Sequence, residues 1–386
     1  MAGSTLISGI MMNAKTPGLY IHIPFCLSKC PYCDFYSVSS ISMLPSFLEV
    51  LFKEMELYRG RIEPCDTVYI GGGTPSILNP RQLEAILNRV LENFRLLPNP
   101  EITLETNPAD LDQASLASIR AMGINRLTIG CQSFDQAILA FLGRRHSANQ
   151  AVNAIEVARS AGFTNIGLDL IYGIPGQGMD AWMDTVKRAL TFAPEHLSCY
   201  QLTVEPETPL GISYRQGAFS LPDENLQHEF FMKTAAMLED AGYVHYEVSN
   251  FARDMTLASR HNQKYWDHTP YLGLGPGAHS FSANRRWWNY QSVDRYITAL
   301  KSGHLPVEAS EGLTREQLQL EALYLGLRTK KGIHLKDYAT RYCLDLLARK
   351  GNRLTTLQDE GLIAIEDGYL YATRAGLAVA DSLALI

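Results

Sequence analysis

Six short apolar, β-branched runs, each followed by a stretch with helical spacing, constrain this chain more than any other feature. The runs are Leu19–Phe25, Thr67–Ile70, Ile102–Glu105, Arg126–Gly130, Asn165–Tyr172 and His196–Val204. After the first, Ser46–Arg59 repeats Phe47, Leu48, Leu51 and Met55. After the second, Arg81–Phe94 repeats Leu83, Ile86, Leu87, Val90 and Leu91. Leu111–Met122, Asp135–Leu142, Ala148–Ala161 and Met179–Phe192 follow the same rule. Such alternation predicts a parallel sheet with right-handed crossovers. The runs are apolar nearly throughout, which predicts strands covered on both faces. Six units over about 185 residues make three quarters of an eight-unit barrel. The expected fold class is α/β, a partial (βα)6 TIM-like barrel with an open lateral side for a large flat substrate. Its chemistry should sit just beyond the strand ends.

Past Val204 the pattern changes. Residues 205–310 are rich in aromatics, Gly and Pro, with one clear helix near Asn225–Ala241. Helices are then expected near Thr314–Leu327, Leu335–Tyr342 and Asn352–Glu360. Leu362–Ile365 and Tyr369–Ala372 read as a hairpin around Asp367-Gly368 in a type I′ turn. Together they form a C-terminal α+β winged-helix-like module, a shape that does not by itself imply DNA binding. The expected division is a flexible tail over 1–17, a barrel over 18–250, an aromatic and Gly-rich connecting segment over 251–310 and the module over 311–386.

Bulk properties exclude several classes. No apolar run reaches eighteen residues, so no membrane span is expected. The net charge of −6 argues against a general nucleic-acid binder. Residues 1–17 lack the charged start and long apolar stretch of a secretion signal. Met11 or Met12 is a candidate translation start, which an intact Met1 or Ala2 end in the native protein would refute. An odd count of seven cysteines without such a signal points to a reducing cytoplasm rather than a disulfide framework. Cys65, Cys131, Cys199 and Cys343 lie in apolar neighbourhoods and are expected as small buried hydrophobes.

The other three cysteines crowd into Cys26-Leu-Ser-Lys-Cys30-Pro-Tyr-Cys33, directly after the first strand. Structural zinc wants four ligands, and no nearby Cys or His completes the set, since His22 lies within the strand. Iron–sulfur clusters are held by thiolates. Three thiolates on a [4Fe–4S] cube leave one iron open, and S-adenosylmethionine can chelate it through its amino and carboxylate groups. An electron from the cluster then cleaves the sulfonium to methionine and a 5′-deoxyadenosyl radical. Zinc and chance spacing are the rival readings.

Further polar signals follow the later strands. Ile70-Gly71-Gly72-Gly73-Thr74-Pro75 could be a tight turn, or a loop whose N–H groups approach a ligand closely. Glu105 ends the third strand, where a carboxylate can accept from an ammonium. Gln132 ends the fourth, Arg144 follows in Leu-Gly-Arg-Arg-His, and Asp169 interrupts the apolar fifth. Lone Glu, Gln and Arg residues are usually surface groups, but a carboxylate inside an apolar strand needs a partner. Farther on, Arg260-His261-Asn262-Gln263-Lys264-Tyr265-Trp266 is either a packed aromatic corner with a satisfied histidine or an apolar wall offering an axial haem ligand. His279 is expected in the cofactor pocket or the core.

Leu19-Tyr20-Ile21-His22-Ile23-Pro24-Phe25-Cys26 through Cys33-Asp34-Phe35 resembles the HemN/HemW branch of the radical SAM superfamily. The resemblance continues through the barrel and the C-terminal module. It implies that Cys26, Cys30 and Cys33 hold the cluster. It also implies that Tyr20, Gly72, Gly73, Thr74, Glu105, Gln132, Arg144 and Asp169 contact S-adenosylmethionine, with Tyr32 contributing its main chain. The segment with His261, Asn262, Tyr265 and Trp266 is similar to the haem-binding signature of HemW, with His261 the preferred ligand and Tyr265 second. Two departures separate the chain from oxygen-independent coproporphyrinogen III oxidase. Phe35 stands where that enzyme has a fourth cysteine, and the eighteen residues before Leu19 are too few for its substrate-covering arm. The branch implies a haem chaperone, with haem as cargo and an acceptor haemoprotein, membrane respiratory proteins among the candidates. It further implies an electron donor such as flavodoxin or ferredoxin, homodimerisation and a cytoplasmic or membrane-peripheral location. The oxidase, which decarboxylates propionates, is the alternative.

Overall fold

The structure is a computed structural model describing residues 15–383. The tail up to residue 14, with Met11 and Met12, lies outside the described residues. The six apolar runs form β1 (Gly18–Ile23), β2 (Cys65–Gly72), β3 (Leu96–Thr106), β4 (Arg126–Gln132), β5 (Ile166–Tyr172) and β6 (His196–Gln201). They pair in parallel in sequence order. Between them run α1 (Leu44–Leu57), α2 (Pro80–Asn93), α3 (Gln113–Ala121), α4 (Gln136–Phe141), α5 (Ala148–Ser160) and α6 (Met179–Leu190). Starts are written locally. Asn79 and Gln82 close a capping box ahead of Pro80, and Ser147 and Gln150 do the same for α5.

The strands are not uniformly apolar in their surroundings. One set of alternating side chains, including Leu19, Ile21, Val68, Ile70, Leu104, Leu127, Leu168 and Leu197, packs in one core with Phe47, Leu51, Leu83, Leu116, Ile155 and Trp182 of the helices. The intervening positions, such as Tyr20, Tyr69, Glu105 and Asp169, lie on the opposite face, as period-2 geometry requires. So the sheet's helix-covered side is apolar and its concave side is polar. That polar lining departs from the expectation of apolar cover on both faces.

The sheet also continues past both edges of the six-strand arc. Residues 205–312 add α7 (Pro209–Arg215), α8 (Glu224–Asp240), β7 (Val244–Glu247), β8 (Asn250–Ala252), α9 (Arg260–Trp266), β9 (Tyr271–Leu274), β10 (His279–Ser282), β11 (Arg285–Asn289), α10 (Val293–Lys301) and β12 (Val307–Gly312). β9 pairs in parallel with β1, and β8 pairs antiparallel with β6. The twelve-strand order is β12-β11-β10-β9-β1-β2-β3-β4-β5-β6-β8-β7. The stretch expected as a connecting segment thus adds strands to the barrel's own sheet. These strands are only three to six residues long, too short for periodicity to reveal.

Glu54 of α1 ties this extension to the barrel. The buried carboxylate accepts from the Gly275 N–H at 2.9 Å, Asn289 Nδ2 at 2.7 Å and the Tyr296 hydroxyl at 2.5 Å. The last segment forms α11 (Arg315–Gly326), β13 (Ile333–His334), α12 (Leu335–Tyr342), α13 (Leu346–Asp359), β14 (Ile363–Glu366) and β15 (Tyr369–Ala372). Its strands order β13-β15-β14 over a second core of Leu323, Leu327, Leu354, Leu357 and Leu370. Asp367 and Gly368 both have positive φ, 50° and 80°, as a type I′ turn demands. Cys65, Cys131 and Cys199 are buried, but Cys343 is exposed. It is the C-cap of α12, in the left-handed region at φ 55°.

Candidate functional site

The cysteine loop leaves β1 and returns onto it. Cys26 N–H donates to Val38 O at 3.0 Å, and Val38 N–H to Pro24 O at 2.7 Å. Leu210 N–H of α7 donates to Pro31 O, holding the loop's far side. Cys26 is buried, while Cys30 and Cys33 are half-buried.

The glycine loop after β2 lies against it. Gly73 and Thr74 N–H groups donate to Ile23 O and Phe25 O at 2.9 and 2.8 Å. A Cβ on Gly73 would stand 2.7 Å from Phe25 O, and one on Gly72, at φ +113°, 2.6 Å from His22 Nδ1. Glycine is therefore required for this close approach of two backbones. Thr74 Oγ1 is 3.4 Å from Cys26 Sγ, and Arg144 Nη1 is 3.4 Å from Cys30 Sγ. Both place a donor against a cysteine sulfur. The buried Arg144 Nε has no partner.

Two carboxyls face the same space. Glu105 accepts from the Tyr69 hydroxyl at 2.7 Å and the Gly72 N–H at 3.1 Å. Burial pushes its pKa up to about 7, and the Asp169 charge adds to this. Burial likewise raises Asp169 to about 6, against the pull of Ser198, Arg144 and Arg126. Gln132 ends β4 at φ +63°, beyond a register shift, so its amide folds back over Gly130. A non-glycine residue in this region is uncommon and marks a constrained site.

Gly73, Thr74, Glu105, Gln132, Arg144 and Asp169 line one cavity of about 110 Å³ at the C-terminal ends of β2–β5. Tyr32 sits at its edge, 3.5 Å from Arg144 Nη1. Gly72 lies behind Glu105. Tyr20 is deeper, its hydroxyl on His22 Nδ1 at 3.0 Å. A larger groove of about 460 Å³ runs among α4, α5 and α6, lined by residues such as Phe134, Val152 and Arg188, and gathers none of the expected site residues.

The three thiols, with a hydroxyl and a guanidinium beside two of them, suit a thiolate-held group. Among the described residues no three His, Cys, Asp or Glu side chains gather tightly enough to hold a single ion. A four-iron cube takes its thiolates around a larger body.

His261 lies elsewhere, at the opposite end of the strands. It is fully buried, with Nδ1 on Thr67 Oγ1 and Nε2 on the Tyr265 hydroxyl, each at 2.8 Å. Asn262, Tyr265 and Trp266 are half-buried. In this arrangement His261 is a satisfied histidine, and serving as an axial ligand would require it to give up a hydrogen bond. His279, expected in the pocket or core, is instead exposed on β10, stacked on Trp288. Sequence reasoning passed over Tyr69, whose signal was its inward phase on β2, two residues before Gly71.

Residues 20–189 match the radical SAM superfamily, and residues 313–379 match the HemN C-terminal domain. The cysteine loop, glycine loop and partial barrel thus define a radical SAM protein. The heme chaperone HemW of Mycobacterium tuberculosis is 35% identical, covering 96% of this chain and 95% of its own. Heme chaperone HemW of Bacillus subtilis is also 35% identical, over 92% and 95%. Radical S-adenosyl methionine domain-containing protein 1, mitochondrial, of Bos taurus is 34% identical, over 97% and 87%. Coproporphyrinogen III oxidase (HemN) from Escherichia coli shares the fold, with a TM-score of 0.82 over 96% of this chain and 90% of its own, at 23% identity. Within the radical SAM superfamily, the chain belongs to the HemW family.

Proposed function

We propose that this protein is a radical-SAM-type haem chaperone that binds haem and delivers it to an acceptor haemoprotein. The observation that carries the reading is the meeting of the cysteine loop, the glycine loop and two buried carboxyls at one cavity, in a chain whose full-length relatives are named heme chaperones. Cys26, Cys30 and Cys33 would hold a [4Fe–4S] cluster with S-adenosylmethionine bound beside it. When bound, that pair can supply a 5′-deoxyadenosyl radical from an external electron.

Gly72, Gly73 and Thr74 would line the cofactor's methionine end, and Glu105 would accept from its ammonium. Gln132, Arg144 and Asp169 complete the cleft, with Tyr20 beneath it and Tyr32 at its rim. Phe35, in place of a fourth cysteine, moves the reading away from the oxidase. The haem contacts are Asn262, Tyr265 and Trp266, with His261 joining only after releasing a ring nitrogen. The division into a barrel over 18–250 and a module over 311–386 belongs to this proposal, as do a flavodoxin or ferredoxin donor, a homodimer and a cytoplasmic setting with peripheral membrane contact. Among the described residues no helix is long and apolar enough to cross a membrane.

Anaerobic reconstitution followed by two assays on one sample tests the reading. Haem titration should saturate, and His261→Ala should weaken it if that ring is recruited. Coproporphyrinogen III should not turn over. Robust protoporphyrinogen formation would overturn the chaperone assignment. Cys30→Ala should lose iron and S-adenosylmethionine binding together.

A further inference from the structure

The His-Asn-x-x-Tyr-Trp segment has a second physical connection, to the cofactor cleft above it. Gly18, Tyr20 and His22 on β1 lie in register with Thr67, Tyr69 and Gly71 on β2. Two glycines in this double row make room at its two ends. A Cβ on Gly18 would stand 2.9 Å from His261 Nδ1, and one on Gly71 2.9 Å from the Glu105 carboxyl. His261 therefore fills the base of the row and Glu105 folds across its top. Tyr69 stands between them. Its ring lies 5.2 Å from the His261 ring at 31°, and its hydroxyl donates to Glu105 Oε1 at 2.7 Å. Tyr20 packs on both, 6.1 Å from Tyr69 and 6.3 Å from His261.

The base is held from the same strand that carries Glu105. Glu101 of β3 accepts from the backbone N–H groups of Arg260 and His261 at 3.2 and 3.1 Å. Asp66, at the start of β2, accepts from Lys264 at 2.6 Å and Arg260 at 2.8 Å. With both ring nitrogens engaged, His261 cannot rotate without disturbing Thr67, Tyr265 or the tilted Tyr69 contact.

We propose that Tyr69 and His261 are positioning residues for Glu105, so that the His-Asn-x-x-Tyr-Trp segment serves the S-adenosylmethionine site from beneath. This rests on the cofactor reading above. Tyr69 supplies the hydrogen bond that orients one carboxylate oxygen, leaving Gly72 to hold the other. His261 supplies the surface that keeps the Tyr69 ring in that pose. The charged and titratable groups around Glu105 are Tyr20 and Tyr69 from the strands, Tyr265 from α9, Asp169 from β5 and Arg144 across the cleft.

The test is calorimetric titration of reconstituted holoprotein with S-adenosylmethionine across pH, for wild type, Tyr69→Phe, His261→Ala and the double variant. Tyr69→Phe keeps the ring and should weaken binding about tenfold, the weight of one hydrogen bond to a charged group. Its acid limb should move to higher pH, because Glu105 loses a donor to its charged form. His261→Ala should show both effects in smaller measure, and the double variant should bind no more weakly than Tyr69→Phe alone. Tyr69→Phe binding like wild type, or variants that lose thermal stability with an unmoved acid limb, would overturn the inference and leave the cofactor reading standing. Should His261→Ala fail to fold, the Tyr69→Phe profile decides alone. Wild type with an intact cluster signal and no S-adenosylmethionine binding would overturn both.

Discussion

Glu105 and Asp169 bind their protons more tightly in the folded protein than in the unfolded chain, since burial raises them to about 7 and about 6. Their contribution to stability is therefore full below the ordinary carboxyl range and is lost as pH rises through those values. The cofactor-free protein should lose thermal stability as pH rises from about 4 to about 7. Glu105→Gln should flatten part of that slope in scanning calorimetry, and an unchanged slope would rule Glu105 out as its source. Burial raises Glu54 to about 7 as well, although three donors hold it. All three of its partners are donors, so Glu54→Ala should strand them and cost about 3–5 kcal/mol in urea unfolding. Neither carboxylate's partners could be read from spacing. Asp169 stood out in the sequence because it broke an apolar run, whereas Glu54 sits on a helix where a carboxylate is ordinary.

At the scale of elements, the barrel units were legible because each carries its own period. β5 and the helix after it begin within a residue or two of expectation, and caps such as Asn79 lie beside the residues they serve. The α9 segment was legible as a motif and ambiguous as a role. Its seat depends on Gly18, where an added Cβ would meet Thr67, His261 and Lys264 within 3 Å. Gly18→Ala should cost about 2 kcal/mol through overpacking, measured by urea unfolding, whereas Gly351→Ala, inside α13 with open space around it, should stabilise by about 0.5–1 kcal/mol. Equal effects at the two positions would mean that the α9 seat is looser than it looks. The short strands β7–β12 escaped notice because pairing, not periodicity, makes them strands.

Over the whole molecule, the C-terminal module closes the edge of the sheet. Val248 N–H donates to Arg328 O, Lys330 N–H donates to Tyr246 O, and Phe231 of α8 packs on the module's core. Removing residues 313–386 should therefore expose the β7 edge and an apolar patch, a hazard for edge-to-edge association. Light scattering should detect large species in the truncated protein. A monodisperse, cluster-binding truncation would show instead that the barrel stands alone.

Sequence alone determined the clustering of the three thiols and the parallel sheet. Three thiols within eight residues need no long-range folding to be neighbours, and six repeated strand–helix periods leave few topologies. Only the tertiary structure decided what surrounds them. His261 and Thr67 are 194 residues apart in the chain and 2.8 Å apart in space. Glu105 meets Tyr69 only because two parallel strands fall into one register. Contacts of that kind are set by strand register and helix packing, which no local pattern of residues records.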